Sequence, residues 1–277
     1  MLKRMASHQA LMFGLVMIAA IVLAAIFADW ISPFDPLRAD PRRRYLPPLS
    51  GPFLLGTDEL GRDILSRLIF GARYALLVAI VPTVIALVIG GAVGLLSGYV
   101  RGWIDAVVMR VFDVMLAFPG VLLALAIGAA LGPGLNSMVI AMVVVTIPAF
   151  GRVVRGIVLS LREELYVEAG RILGYSHIRI ASRHILPNLF GSAIVFGTLQ
   201  TGRNVILSAS LSFLGLGLQP PIPEWGQMLS SGRTALATAA HVSTIPGLAI
   251  VLLAISFNMI GDGVRDIFDP RYNSDRV

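Results

Sequence analysis

Long apolar runs alternate with short polar stretches along the chain, and the runs are long enough to cross a bilayer. Residues 11–28 are continuously apolar behind a short basic start carrying Lys3 and Arg4. That length, and the poor cleavage context of the ADWISPFDP that follows, argue for a first membrane helix with its N-terminus inside and against a signal peptide. Residues 32–52 are rich in Pro and Arg, lack periodicity and read as an irregular extramembrane loop. In 55–76, Thr57 or Asp58 can cap a helix start. Ile64, Leu65, Leu68 and Ile69 share a face there, with Ser66 and Arg67 elsewhere, which predicts an amphipathic helix lying at the interface.

Five more spans follow. The second covers about 76–99, where Gly90, Gly94 and Gly98 recur every four residues. That spacing permits close helix approach, either inside the chain or at a dimer seam. A turn at 101–105 leads to a third span over about 107–131, with Arg110 and Asp113 near its start and Pro119 inside. Gly132, Pro133 and Gly134 make a tight turn. The fourth span is about 135–154 with Pro148 inside, and the fifth lies within 189–218. Residues 219–244 are a second extramembrane segment with Trp225 as an interface anchor, and the sixth span covers about 245–260.

The expectation is an all-α integral membrane protein with six transmembrane helices. Residues 1–75 hold the first helix, an extracytoplasmic loop and the amphipathic helix. Residues 76–264 form the core, and 265–277 a polar cytoplasmic tail. Six spans put both termini on one side, together with Arg101, the arginines of 152–183, Arg265, Arg271 and Arg276. Seven arginines (Arg38, Arg42, Arg43, Arg44, Arg62, Arg67 and Arg73) then fall outside, against the usual bias of positive charge to the inside.

Composition agrees with membrane insertion. The 277 residues are 56% hydrophobic and 14% charged, against roughly a quarter charged in soluble domains. The net charge of +6 does not signal nucleic acid, because basic and aromatic residues do not interleave as a base-stacking surface requires. The absence of cysteine removes disulfides and thiolate metal sites.

Catalytic chemistry is sparse. The only lysine is Lys3, so the chain has no P-loop and cannot itself hold ATP in that way. His8, His177, His184 and His241 do not cluster with carboxylates at metal-ligand spacing, and no Ser/His/Asp arrangement emerges. Polar side chains at membrane depth are costly and therefore candidate sites. Gln200, Arg203, Asn204 and Ser208 in the fifth span are the candidates for a translocation path. Arg203 either meets a carboxylate cargo there, pairs with an acid such as Asp113, or snorkels; Asp113 alternatively balances Arg110.

The most charged part of the second half, residues 162–188, reads REELYVEAGRILGYSHIRIASRHILPN. It starts as a good helix former, breaks at Gly174, resumes and stops at Pro187, a pattern of two short helices meeting at a turn. Such a segment cannot lie in lipid. It is either a solvated loop or a surface for another protein.

Here the residues carry a resemblance. EAG-x3-G from Glu168 to Gly174, followed by HILPN from His184 to Asn188, resembles the EAA loop of ABC importer permeases. Gly170 replaces the loop's second Ala, and His184 stands where Ile is usual. LGTDELGRDILSRLIFGAR, MLAFPGVLLAL, SLSFLGLGLQPPIPEWG and GDGVRDIFDPR are similar to the C-type permease of dipeptide and oligopeptide importers. Related systems carry nickel, glutathione or opine-like solutes. The resemblance implies the type I importer permease fold in a bacterial inner membrane. It also implies a homologous permease partner, two ATPase subunits holding ATP and magnesium, and an extracytoplasmic binding protein, with no cofactor on this chain. Glu168, Ala169, Gly170 and Gly174 would then form a coupling helix and its turn. Glu168 would meet a basic residue of the ATPase. Tyr175, Ser176, His177 and Ile178 would form the contact tip, with Leu186 and Pro187 closing the element. A secondary transporter would instead show paired broken helices and intramembrane carboxylates, and a scaffold protein would need neither this loop nor Arg203.

Overall fold

The computed structural model describes residues 9–268; Lys3, Arg4, His8, Arg271 and Arg276 lie outside them. The described residues form helices and loops without a named strand. α1 (Gln9–Ile26) and a short α2 (Ala28–Ile31) precede the first long loop. α3 (Ile64–Val100), α4 (Gly102–Ala117), α5 (Gly120–Leu131) and α6 (Leu135–Leu161) follow. Two short helices, α7 (Leu165–Ile172) and α8 (His177–Ile180), then lead into α9 (Leu186–Phe213), α10 (Trp225–Gly232) and α11 (His241–Phe268).

Among the described residues, four helices are long and apolar enough to cross a membrane: Gln9–Ile26, Ile64–Val100, Leu135–Leu161 and His241–Ile267. The bent pair α4 and α5 adds a fifth if it is one span. By length α9 is the natural sixth, at about 42 Å for its 28 residues. The polar residues that drew attention to it in the sequence also lower its hydropathy.

Several sequence expectations change. The interfacial amphipathic helix is not separate: α3 runs without a break from Ile64 to Val100, passing Pro82. Its N-cap is Asp63, whose carboxylate accepts from the Ser66 amide at 2.8 Å, and not Thr57 or Asp58. At 37 residues, or about 56 Å, α3 exceeds the ~30 Å hydrocarbon core and extends beyond it. The third span is not one helix. Pro119 holds Phe118 in extended conformation, and α4 and α5 meet at 91°. Trp225 is no interface anchor, since it is buried and its indole N–H donates to the Leu68 carbonyl at 2.9 Å. α3 runs through residue 75 and α11 through residue 264 without a break in either helix.

The glycine spacing of α3 finds its partner in the same chain. A Cβ on Gly90 would sit 2.5 Å from the Ile147 carbonyl oxygen and one on Gly98 3.0 Å from that of Arg155, while one on Gly94 would collide with that of Gly151. The seam is therefore α3 against α6, the most extensive helix pair in the molecule. Backbones this close gain dispersion along the whole contact, which matters where lipid supplies no hydrophobic drive between helices.

At the end of α3 away from Val100, the two extramembrane segments meet. The Arg67 guanidinium is buried, 3.4 Å from an Asp58 oxygen, and it donates to the carbonyls of Pro36 and Pro221 at 3.3 Å. Arg62 pairs with Asp58 at 2.7 Å and with Glu59 at 2.9 Å. The Thr57 hydroxyl donates to the Arg43 carbonyl and accepts from the Leu46 amide. Arg43 also pairs with Asp40, and Arg73 with Asp29. Four of the seven arginines that offended the charge bias are thus locked to acids within this folded layer. Arg67, expected off the apolar face of an interfacial helix, is instead buried in the middle of the layer.

Candidate coupling element and translocation face

Residues 162–188 form the two-helix element expected from the sequence, and each turn in it has a local cause. α7 ends in a Schellman motif. Gly174 adopts φ +74°, its amide donates to the Arg171 carbonyl at 3.0 Å, and the Tyr175 amide reaches back to the Gly170 carbonyl at 3.0 Å. A side chain at Gly174 would strain that left-handed backbone. Ser176 then caps α8, accepting from the Arg179 amide at 3.3 Å.

Pro187 does not end the second helix. Between α8 and α9 lies a π-helical turn, Ala181–Ile185, in which the Leu186 amide bonds to the Ala181 carbonyl five residues back. The wider turn makes room for the proline ring just after it, so the chain stays helical from His177 to Phe213. Leu186 is half-buried at this junction, and Pro187 is exposed.

The element is anchored from below and bare above. Val167, Ile180, Ile185 and Leu189 pack with Val154 and Val158 of α6 in a small core of their own. Facing outward are Glu168, Ala169, Ser176 and His177, beside Leu165 at 81% exposure, Ile172 at 80% and Ile178 at 81%. A run of large apolar side chains this exposed marks an interaction surface. Leu165, Ile172 and Leu173 escaped the sequence reading. The available signal was an eight-residue helix with apolar residues on both faces, only one of which its neighbours can cover.

The two unconventional positions meet in space. A Cβ on Gly170 would come 3.2 Å from Tyr175 Cδ2, and the His184 ring stacks on Tyr175. Arg179 lies over the same ring at 4.2 Å. The Tyr99 hydroxyl, at the end of α3, hydrogen-bonds His177 Nδ1 at 2.9 Å. Arg162 donates to the Tyr99 carbonyl at 3.0 Å, a cation at the C-terminal carbonyls of α3.

Residues 90–274 match a family model described as the binding-protein-dependent transport system inner membrane component. The chain belongs to this family. Residues 1–48 also match the N-terminal TM domain of oligopeptide transport permease C. A dipeptide transport system permease protein, DppC, of Alkalihalophilus pseudofirmus is 43% identical over 98% of this chain and 89% of its own length. Glutathione transport system permease proteins, GsiD, are 43% identical in Pectobacterium atrosepticum (96% of this chain, 88% of theirs) and 46% identical in Escherichia coli (95% and 87%). The family is one of non-catalytic membrane subunits of importers.

In this permease the polar residues of α9 separate into two sets. Asn204 is fully buried, donating to Thr83 Oγ1 at 2.9 Å, with its carbonyl oxygen 3.4 Å from Thr146 Oγ1. Ser208 is buried and donates to the Val205 carbonyl. Asn204 thus ties α9 to α3 and α6, whereas the Ser208 bond stays within α9. Gln200 is also buried, and its amide oxygen has no hydrogen-bond partner. Arg203 alone of the four is exposed, and it makes no ion pair among the described residues. Asp113 is not its partner, nor Arg110's: Asp113 pairs with Arg152, and Asp105 pairs with Arg155 at 2.5 and 2.6 Å. These two pairs clamp α4 to α6.

Beside the exposed stripe of Arg203, Ile206, Ser210 and Phe213 runs an open cavity of about 820 Å³ between α9 and α11. Leu248, Val251 and Asn258 form its α11 wall. Gly202 lets the helices meet at its floor, since a Cβ there would lie 2.6 Å from Asn258 Oδ1. An apolar groove with scattered hydroxyls and an amide is chemically suited to a small amphipathic solute.

Proposed function

We propose that the chain is the membrane-spanning subunit of an ATP-driven importer of dipeptides or oligopeptides in a bacterial inner membrane, with both termini cytoplasmic. A homologous permease supplies the other half of the path. Two ATPase subunits, which hold the ATP and magnesium, dock on 162–188. A binding protein delivers cargo at the opposite end. The family's dependence on binding proteins supports this partner set, and a relative named for dipeptide transport supports the cargo.

The observation that carries the reading is mechanical. The exposed apolar and acidic tip sits on a packed base, and that base continues directly into α6 on one side and α9 on the other. A displacement of the tip therefore moves two spans as a rigid body. Nucleotide would close the ATPases, draw the coupling elements together and open the paired permeases outward; hydrolysis would return them inward. This chain makes and breaks no covalent bond. Arg203 and the α9–α11 groove are its contribution to the path.

A second cargo, glutathione, follows from the GsiD relatives and needs no different machinery, being itself a tripeptide. Reconstituted complex tests both points. Glu168→Ala and Gly174→Pro are expected to leave ATP binding intact and to uncouple hydrolysis from uptake. Wild-type coupling in both variants sinks the coupling role. Competition between labelled dipeptide and glutathione ranks the cargo.

A further inference from the structure

A cavity of about 660 Å³ lies between the last two turns of α3 and the underside of the coupling element. Its wall is aliphatic: Ala92, Leu95, Leu96 and Val100 face it, and Leu96 and Val100 are half exposed. Its mouth is basic, with Arg162, Arg171 and His177. The Arg162 side chain is only 17% exposed, and its buried Nε makes no hydrogen bond. The nearest acid is Glu163, 3.7 Å from that Nε, which is itself exposed and 3.9 Å from Arg101. Arg171 donates to the Arg162 carbonyl and has no acidic partner among the described residues.

We infer that this groove holds an anionic phospholipid, its phosphate at Arg162 and Arg171 and an acyl chain along α3. The dimensions select the occupant. From Val100 to Ala92 the groove descends about 12 Å along the helix, close to the ~15 Å of one leaflet's hydrocarbon. A water-soluble ATPase cannot follow it there. A phosphate alone would leave the aliphatic wall bare, and a neutral lipid would leave Arg171 without an acid and Arg162 with only the α3 carbonyls and the exposed Glu163. The inference requires only that α3 spans the bilayer. Since Ile178 at the mouth belongs to the tip proposed to dock the ATPase, the headgroup would lie beside that contact.

The test uses the assembled transporter in nanodiscs of phosphatidylcholine with and without phosphatidylglycerol, followed by native mass spectrometry of retained lipid. Wild type is expected to retain phosphatidylglycerol selectively, and Arg162→Gln/Arg171→Gln to lose about thirtyfold in retention, as two basic contacts of about 1 kcal/mol each imply. Leu96→Trp, at an exposed position, keeps the cations and fills the groove, and it should also displace the lipid. Equal retention of phosphatidylcholine, or unchanged retention in Leu96→Trp, overturns the assignment. So does a disulfide cross-link from Leu96→Cys to a cysteine scanned along the partner permease, which would show a protein helix in the groove.

Discussion

The His184 imidazole lies parallel to the Tyr175 ring, with centroids 5.8 Å apart and planes 7° from parallel. This offset stack joins the two positions at which the coupling loop departs from its family's pattern, because Gly170 is small where the Tyr175 ring passes. The departures compensate one another across a single tyrosine. Gly170→Ala should push the ring off His184, and Tyr175→Ala should relieve the crowding. A double-mutant cycle on thermal unfolding of the purified complex should then show non-additivity of about 1 kcal/mol. Strict additivity would mean that the ring contact carries nothing.

The α3–α6 seam makes a sharper stability prediction. Gly94→Val drives a side chain into the Gly151 backbone, which cannot yield as a flexible side chain does. The cost should be at least about 2 kcal/mol, seen as a lowered Tm in detergent. Gly91, three residues earlier on the same helix, has its nearest neighbours at 3.9 Å. Gly91→Ala should fall within about 0.5 kcal/mol of wild type. Similar losses at both positions would show that close approach to α6 at Gly94 does not govern this stretch.

Glu224 gives the layer away from the coupling element a pH dependence. Its two oxygens accept from the amides of Gly226 at 2.9 Å and Gln227 at 2.7 Å, capping α10. Burial nonetheless pushes its carboxyl above the ordinary value of 4.5, outweighing those hydrogen bonds. The folded layer then holds the proton more tightly than the unfolded chain does. The resulting stabilisation is complete below about 4.5, and it is lost as pH rises through the elevated folded value. Trp225 reports this directly. With exposed Trp30 and Trp103 changed to Phe, its emission should shift with pH across that window, and Glu224→Gln should abolish the shift. A pH-independent signal in the parent would remove Glu224 as the titrating group.

Much of the coupling element was legible because its causes are local. Gly174, Ser176 and the charge of 162–188 each act within a turn or two of themselves. Pro187 misled for an instructive reason: a proline forbids one hydrogen bond, but the chain can widen to a π turn ahead of it and remain helical, and nothing in the local sequence announces that choice. That Asn204 is buried against Thr83 and Thr146 while Arg203 is exposed could be read only by knowing which face of α9 lies against α3 and α6.

The sequence by itself determined that the chain is helical and membrane-embedded, that it has no P-loop lysine, and that a charged helical pair interrupts its spans. Run length, composition and turn chemistry are properties of neighbouring residues, and they survive without coordinates. Tertiary structure alone decided that the glycine stripe of α3 faces α6, that Arg67 and Trp225 are interior, and that Asp113 belongs to Arg152. It also decided that Gly170 and His184 share one tyrosine. Each of these depends on which segments distant in the chain come within a few ångströms, and no local pattern encodes that distance.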